Sequence, residues 1–162
     1  TPLHYSTVMG FTNAARVLIK YGANIRAINN RGEEPIHLVA QRGHVQTARM
    51  LIEKGASSIC NEICMHQTIP PIIKAAINKR TSMINFLVKN GASINDRAFP
   101  SGTTCLHIGA YLNNTQVAMI ALELGADVSI KTLDTSETAR EVAMSKKHFN
   151  IVKLIDTFAD LE

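Results

Sequence analysis

The chain has 162 residues, of which 46% are hydrophobic, only 5% are aromatic and none is Trp, so it is long enough for one domain with an aliphatic core. No apolar run approaches the roughly 18 residues of a membrane span, and no signal-peptide pattern opens the chain, which favours a soluble protein of the cytoplasm or nucleus. Three cysteines leave at least one unpaired, so a disulfide framework is not expected. The net charge of +4 is uneven, because residues 1–81 carry +6 and residues 82–162 carry −2.

A self-similar unit returns about every 33 residues, and a repeat of this length indicates a stacked solenoid. Its starts read Thr1-Pro2-Leu3-His4, Glu34-Pro35-Ile36-His37, the degenerate Pro70-Pro71-Ile72-Ile73, and Thr104-Cys105-Leu106-His107. Each start is followed 21 residues later by a Gly-Ala pair. In the first unit Pro2 favours a helix start, Gly10 ends that helix, and a second helix over about 12–21 stops at Gly22. The polar stretch from Asn24 to Gly32 then predicts a β-hairpin-like loop.

The tetrapeptide, the mid-repeat Gly43-His44 and the closing Gly-Ala recur in register, and this pattern resembles the ankyrin repeat over essentially the whole chain. The resemblance implies an all-α solenoid of helix-turn-helix units, with a hydrogen bond between the Thr and His of the tetrapeptide. Two tetrapeptides have both residues and a third lacks the hydroxyl: Thr1/His4, Thr104/His107 and Glu34/His37. We expect a single domain, 1–162, of five units: 1–33, 34–69, 70–103, 104–137 and 138–162.

The third and fifth units depart most from the pattern. The third has no tetrapeptide histidine, and Lys79 stands where Gly10 and Gly43 stand, at a left-handed position that costs a non-glycine residue roughly 1 kcal/mol. Asn113 fills the same place in the fourth unit and is the mildest alternative to Gly. The fifth unit puts Asp156 at an apolar second-helix position, so we expect it to be a C-terminal cap. The chain opens directly on a tetrapeptide without a preceding loop, so we expect either that the N-terminal side is a cut through a longer array or that it packs against something else.

The candidates for chemistry have structural explanations. Five of the six histidines fall in the tetrapeptide or in the Gly-His position, and only His66 is left over. His66 follows Cys60 and Cys64 as Cys-x3-Cys-x-His, but zinc would need a fourth ligand and the spacing is not that of a standard finger. Cys105 and His107 are two residues apart on a helix and do not face each other. With no phosphate loop and no hydrolase or metalloprotease motif, no catalytic, cofactor-binding or metal-binding residue is predicted.

The resemblance implies recognition through the loop tips and through the concave ends of the first helices. The loop positions are Asn30, Arg31, Glu33, His66, Gln67, Ile69, Pro100, Ser101, Thr103, Asp134, Thr135 and Glu137. The first-helix positions are Val8, Met9, Gln41, Arg42, Ile77, Asn78, Tyr111 and Leu112. The second set is unusually apolar, which favours a protein-binding groove with Tyr111 and Arg42 as anchors, unless these side chains pack against neighbouring repeats.

We therefore expect a non-catalytic protein–protein interaction scaffold that forms part of a longer chain. One alternative is a nucleic-acid-binding array that uses the basic N-terminal half. However, Arg16, Lys20, Arg49 and Lys54 belong to the second helices, whose outer side is normally solvated, and aromatic residues do not interleave with them. The other alternative is a regulatory or targeting segment of a larger multidomain enzyme.

Overall fold

The computed structural model describes residues 1–57 and 69–160, and this part of the chain contains ten α-helices and no strand. The predicted all-α repeat solenoid is confirmed. The first helices of the pairs are α1 (Pro2–Val8), α3 (Pro35–Arg42), α5 (Pro71–Ile77), α7 (Cys105–Tyr111) and α9 (Ala139–Ser145). The second helices are α2 (Thr12–Lys20), α4 (Val45–Glu53), α6 (Thr81–Lys89), α8 (Thr115–Glu123) and α10 (Phe149–Ala159).

The helices form two layers. Each first helix packs on the first helix of the next pair, from α1 to α9, and each second helix packs on the next second helix, from α2 to α10. The core between the layers is aliphatic, as the absence of Trp predicts. Its largest buried side chains include Leu3, Ile36, Leu51, Ile72, Ile73, Ile84, Leu87, Leu106 and Ile151. Because each pair buries its apolar face only against its neighbours, the stack is the unit of stability.

Reciprocal caps fix the starts of four first helices. In α1 and α7 the threonine side chain and the histidine three residues later cap each other, as the resemblance implies. In α3 the carboxylate of Glu34 takes the place of the missing hydroxyl, and the Glu34 N–H donates to His37 Nδ1 at 3.2 Å. In α9, Thr138 and Glu141 make the ordinary Thr/Glu capping box. Helix α5 follows Pro70 and has no such side-chain cap.

The turn between the helices of each pair contains one residue in the left-handed conformation. These residues are Gly10, Gly43, Lys79, Asn113 and Lys147. The left-handed conformation expected at Lys79 and Asn113 is confirmed, with φ of 59° and 52°. A Cβ atom crowds this conformation, so Lys79 and Lys147 are strained positions at the tips of their turns.

Among the described residues, the loops that join one pair to the next are of two kinds. The two later loops are hairpin-like, each closed by one antiparallel bridge: Ala98 with Thr103, and Lys131 with Thr138. In the loop over 24–32, by contrast, the described structure has turns but no bridge, so the β-hairpin-like prediction is wrong there. Asn29 instead closes that loop by donating its N–H to the Glu33 carbonyl at 3.0 Å. Among the described residues, no helix is both long enough and apolar enough to cross a membrane.

Candidate partner-binding cleft

A cleft of about 470 Å³ lies between helices α7 and α9 and the two hairpin-like loops above them. We call it the α7–α9 cleft. Its lining residues are Thr103, His107, Ile108, Tyr111, Thr132, Asp134, Thr135, Glu137, Val142, Ser145 and Lys146. Ile108, Tyr111 and Val142 provide apolar surface, and polar side chains from the loops surround it. Protein sites for organic ligands have volumes and compositions of this kind.

Hydrogen bonds between the two loops hold the upper wall of the cleft in place. The Leu133 N–H donates to the Ser101 carbonyl at 2.7 Å. The Arg97 guanidinium donates to the carbonyls of Gly102 and Lys131, so one side chain joins both loops. Within the loop that precedes α7, the hydroxyl groups of Ser101 and Thr103 lie 2.6 Å apart. A wall fixed in this way loses little conformational entropy when a partner binds.

His107 fixes the inner end of the cleft. Its Nε2–H donates to the Glu137 carbonyl at 3.1 Å, which ties α7 to the loop before α9. Its Nδ1 then accepts from the Thr104 hydroxyl at 2.8 Å. Burial lowers the pKa of His107, and the nearby Arg97 guanidinium lowers it further. The imidazole is therefore neutral and structural, as the repeat pattern predicts for this position.

Tyr111 and Lys146 form the outer end of the cleft. The Lys146 Nζ lies 4.1 Å from the centroid of the Tyr111 ring, a cation–π contact. Tyr111 is nevertheless 56% exposed, so much of its ring remains open to a partner. Asp134 on the opposite loop provides a negative charge. The cleft thus presents an aromatic anchor, the cation of Lys146 and two acidic lining residues, Asp134 and Glu137.

The other first-helix ends in the predicted set are also at the surface. Met9, Ile77 and Leu112 are exposed apolar residues, and Arg42 is exposed. Val8, Gln41 and Asn78 are half-buried. The Val8 carbonyl accepts from His44 Nε2 at 3.1 Å, and the Asn78 side chain donates to the Lys74 carbonyl at 2.8 Å. A contact from the next repeat therefore occupies the Val8 carbonyl, and the Asn78 side chain is bonded to the end of its own helix.

The predicted loop residues fall into four groups: exposed, half-buried, buried, and outside the described residues. Asn30 and Arg31 are exposed, whereas Ser101 and Thr103 are half-buried in the loop wall of the cleft. Glu33 is not an exposed loop-tip residue as we expected. Its carboxylate is buried beside α5, where Lys74 Nζ lies 2.5 Å from Oε1 and Asn29 donates to Oε2 at 2.8 Å. His66 and Gln67 lie outside the described residues.

Cys105 is the thiol whose possible role as a nucleophile the structure can test. Its side chain is fully buried, and its Sγ–H faces the Ile72 carbonyl at 3.8 Å. Burial and the nearby Asp96 carboxylate raise the pKa of this thiol, so it is a poor nucleophile. Within the described ranges no cluster of three His, Cys, Asp or Glu residues could hold a metal ion. Cys60, Cys64 and His66 lie outside those ranges.

Sequence reasoning missed the contribution of α9 to the cleft. Val142, Ser145 and Lys146 line it, but they belong to the unit that we interpreted as a terminal cap. The signal was present, because Ser145 and Lys146 stand 34 residues after Tyr111 and Leu112, in the same register. The list of first-helix positions should therefore have continued into the fifth helix pair.

Comparison with known proteins agrees with this architecture. A family model described as ankyrin repeats, in three copies, matches residues 1–62, 22–98 and 72–161. The nuclear factor NF-kappa-B p105 subunit of Gallus gallus is 26% identical over 135 residues, covering 83% of this chain and 14% of that protein. The human ankyrin repeat and SOCS box protein 16 is 30% identical over 142 residues, with 88% and 30% covered. The Arabidopsis thaliana E3 ubiquitin-protein ligase XBAT32 is 26% identical over 162 residues, with 85% and 32% covered.

These coverages mean that the chain spans less than a third of the length of each of these relatives. The matched family model, the two helix layers and the capped tetrapeptides lead to one conclusion. The chain belongs to the ankyrin-repeat family, whose repeats generally mediate protein–protein interaction as non-enzymatic binding modules.

Proposed function

We propose that this chain is a scaffold that binds a partner protein in the α7–α9 cleft and against the adjoining loop tips. The observation that carries the proposal is Tyr111, a large aromatic side chain left 56% exposed at the mouth of a walled cleft. Tyr and Arg are the residue types that most often dominate the binding energy of interfaces. An aromatic anchor that is already held by Lys146 costs little side-chain entropy to immobilise.

The cleft chemistry favours a peptide segment with one large apolar side chain. That side chain would pack between Tyr111 and Val142, where the cleft is apolar. A cationic group on the partner would face Asp134, and an anionic group would face Lys146. Charges of both signs at one rim fix the direction of a bound segment more than they add affinity.

The predicted first-helix positions extend this surface along the stack. Met9 and Ile77 are exposed at the ends of α1 and α5, and Arg42 is exposed at the end of α3. A partner longer than the cleft would contact these positions in turn, since they recur once per helix pair. Asn30 and Arg31 provide the corresponding loop contacts at the other end of the described chain.

The test compares two tyrosine variants for their ability to retain a partner captured from lysate and then purified. Tyr111→Ala removes the proposed anchor, and Tyr21→Ala is the matched control, because Tyr21 is 80% exposed at the end of α2 and away from the cleft. A hot-spot loss of about 2 kcal/mol predicts roughly 30-fold weaker binding for Tyr111→Ala and no change for Tyr21→Ala. Equal affinities for the two variants would contradict the proposal. Circular dichroism confirms that both variants fold.

Each of the two alternative functions has its own experimental test. A nucleic-acid-binding array in the basic N-terminal half predicts affinity that falls steeply with salt and is lost when Arg31 and Arg42 are both reversed to Glu. Arg49 does lie 5.3 Å from the centroid of the Phe86 ring, but that ring is buried and unavailable for base stacking. A regulatory or targeting segment of a multidomain enzyme agrees with the short coverage of the relatives. The full-length sequence around residues 1–162 decides that alternative.

A further inference from the structure

The turns between the helices of each pair form a second surface, apart from the loops, which overlaps the cleft at Tyr111 and Lys146 and also includes the first-helix ends proposed above as partner contacts. We call it the turn face and define it as the five turns, 9–11, 43–44, 78–80, 112–114 and 146–148, with the residue on either side of each. Contacts join several of these turns to the preceding helix pair. His44 in the second turn donates to the Val8 carbonyl before the first, and His148 in the fifth donates to the Ala110 carbonyl in α7 at 2.8 Å.

The second and third turns are joined in the same way. The Arg80 side chain lies against Gly43 so closely that a Cβ atom there would come within 2.8 Å of Arg80 Cδ. Because these contacts join the first three pairs and the last two, and α5 packs on α7 between them, the turn tips lie side by side. They form a continuous surface at one end of the helices.

The charge on the turn face has one sign. Five cations lie on it: Arg42, Lys79, Arg80, Lys146 and Lys147. None of the five segments, all of which lie in the described structure, contains Asp or Glu. The ion pairs among the described residues are Arg26–Glu34, Lys74–Glu33 and Arg140–Asp156, and none includes a turn-face cation. The face therefore carries five of the chain's 17 Lys and Arg residues, none of which forms an ion pair with a described residue.

Exposed apolar side chains accompany these cations. Phe11 ends the first turn and is 52% exposed, and Phe149 directly follows the fifth turn and is 61% exposed. Met9, Ile77 and Leu112 add exposed aliphatic surface between them. A surface that combines cations with apolar tips and lacks carboxylates has the composition of a segment that lies on an anionic bilayer.

We propose that the turn face docks on an anionic phospholipid surface. The cations would contact lipid phosphates and carboxylates, while Phe11 and Phe149 would enter the boundary between headgroups and acyl chains. Two features favour lipid over a nucleic acid or an acidic protein. Met9, Ile77 and Leu112 have no ring on which a base could stack, and the apolar side chains are spread along the stack rather than gathered at one anchor.

The left-handed turn residues allow variants that remove charge without unfolding the chain. Asn113 occupies the equivalent turn with φ of 52°, so Lys79→Asn and Lys147→Asn copy a turn that this chain already uses. With Arg42→Gln they make a triple turn-face variant. The control variant is Lys20→Gln/Lys54→Gln/Lys89→Gln, which lowers the net charge equally at the opposite ends of α2, α4 and α6.

The experiment measures cosedimentation of the full chain with vesicles. One set is phosphatidylcholine alone, and the other is an equal mixture of phosphatidylcholine and phosphatidylserine. Wild type and the control variant are expected to bind the mixed vesicles. The turn-face variant should bind on the order of 100-fold more weakly. It lacks three cations, each of which contributes roughly 1 kcal/mol at an anionic surface, and about 1.4 kcal/mol corresponds to a tenfold change in affinity. Phe11→Ser/Phe149→Ser should weaken binding by about tenfold.

Each other outcome overturns the proposal. If the wild type does not bind the mixed vesicles, the proposal is wrong. Equal losses in the two charge variants would mean that net charge, not the turn face, controls binding. Unchanged binding of the double Phe→Ser variant would exclude insertion of these side chains. Binding to a single-stranded thymidine oligonucleotide that is lost in the turn-face variant, without vesicle binding, would assign the face to nucleic acid.

Discussion

His37 makes the stability of this protein sensitive to acid. Its side chain is almost fully buried at the start of α3, and its Nε2 has no hydrogen-bond partner among the described residues. Its pKa is lowered from 6.5 to about 4: burial is the main cause, the Lys74 ammonium also lowers it, and the Glu33 carboxylate and the backbone at Glu34 act in the opposite direction. In the unfolded chain the same group would keep its ordinary pKa near 6.5.

The pKa values of His37 in the folded and unfolded chain determine the direction and the size of the pH effect on stability. Between pH 6.5 and pH 4 the unfolded chain binds a proton at His37 that the folded chain does not, so acid stabilises the unfolded state. The contribution that the neutral, buried His37 makes to the free energy of unfolding is fully present above pH 6.5 and is lost as the pH is lowered toward 4. Linkage gives a loss of about 2 kcal/mol between about pH 7 and about pH 5, and roughly 3 kcal/mol by about pH 4.

The assay is urea denaturation of wild type and His37→Gln at those pH values, followed by circular dichroism. His37→Gln changes stability at every pH, so the informative quantity is the loss between pH values, which should be about 2 kcal/mol smaller in the variant at about pH 5. If both proteins lose the same stability over this range, His37 does not titrate with a lowered pKa. The account of its burial would then be wrong.

Three further substitutions test the packing around the site. Lys74→Met leaves the buried Glu33 carboxylate without its cation and should reduce the free energy of unfolding by about 2 kcal/mol in urea, part of which Lys74→Met/Glu33→Gln should recover. Gly109→Ala places a Cβ atom 2.8 Å from the backbone nitrogen of Ala118, where α7 and α8 meet, and should cost about 2 kcal/mol; an unchanged urea midpoint would contradict that close approach. Lys79→Gly relieves a left-handed conformation and should raise the free energy of unfolding by about 1 kcal/mol, with a smaller gain if Asn113 is replaced by Gly.

The fold could be predicted because its signals are local and repeated. A tetrapeptide, a turn residue and a Gly-Ala pair at fixed spacing require only that each unit form the same two helices. The prediction reached even the backbone of Lys79, whose register with Gly10 and Gly43 implied a left-handed residue. It failed for the first loop, where the Asn29 N–H and the Glu33 carbonyl close a turn and no bridge forms. The bridges of the later loops, Ala98 with Thr103 and Lys131 with Thr138, each lie within one loop, and a polar composition alone does not distinguish such a loop from a simple turn.

The candidate site was harder to predict because its contacts join residues that are distant in sequence. Periodicity placed Glu33 at a loop tip, but it could not show that Lys74, 41 residues away, would extend from α5 to its carboxylate. It identified Tyr111 as an exposed anchor candidate without showing that Lys146 covers part of its ring. A repeat register gives the position of a side chain in its own unit, whereas the neighbouring unit decides what that side chain contacts.

Lys146 connects the two proposed surfaces, which decides how they can be separated. It belongs to the fifth turn of the turn face, yet its ammonium lies over the Tyr111 ring at the mouth of the cleft. A lipid phosphate that attracted Lys146 would uncover more of the ring, and a partner that packed on the ring would displace Lys146 toward the turn face. The contact is worth about 0.5–1 kcal/mol at an exposed site, so this coupling is at most a few-fold in either affinity. Lys79 and Lys147 belong to the turn face and not to the cleft, so variants at these two positions report on the turn face alone, whereas Tyr111 and Lys146 belong to both surfaces and their variants alter both.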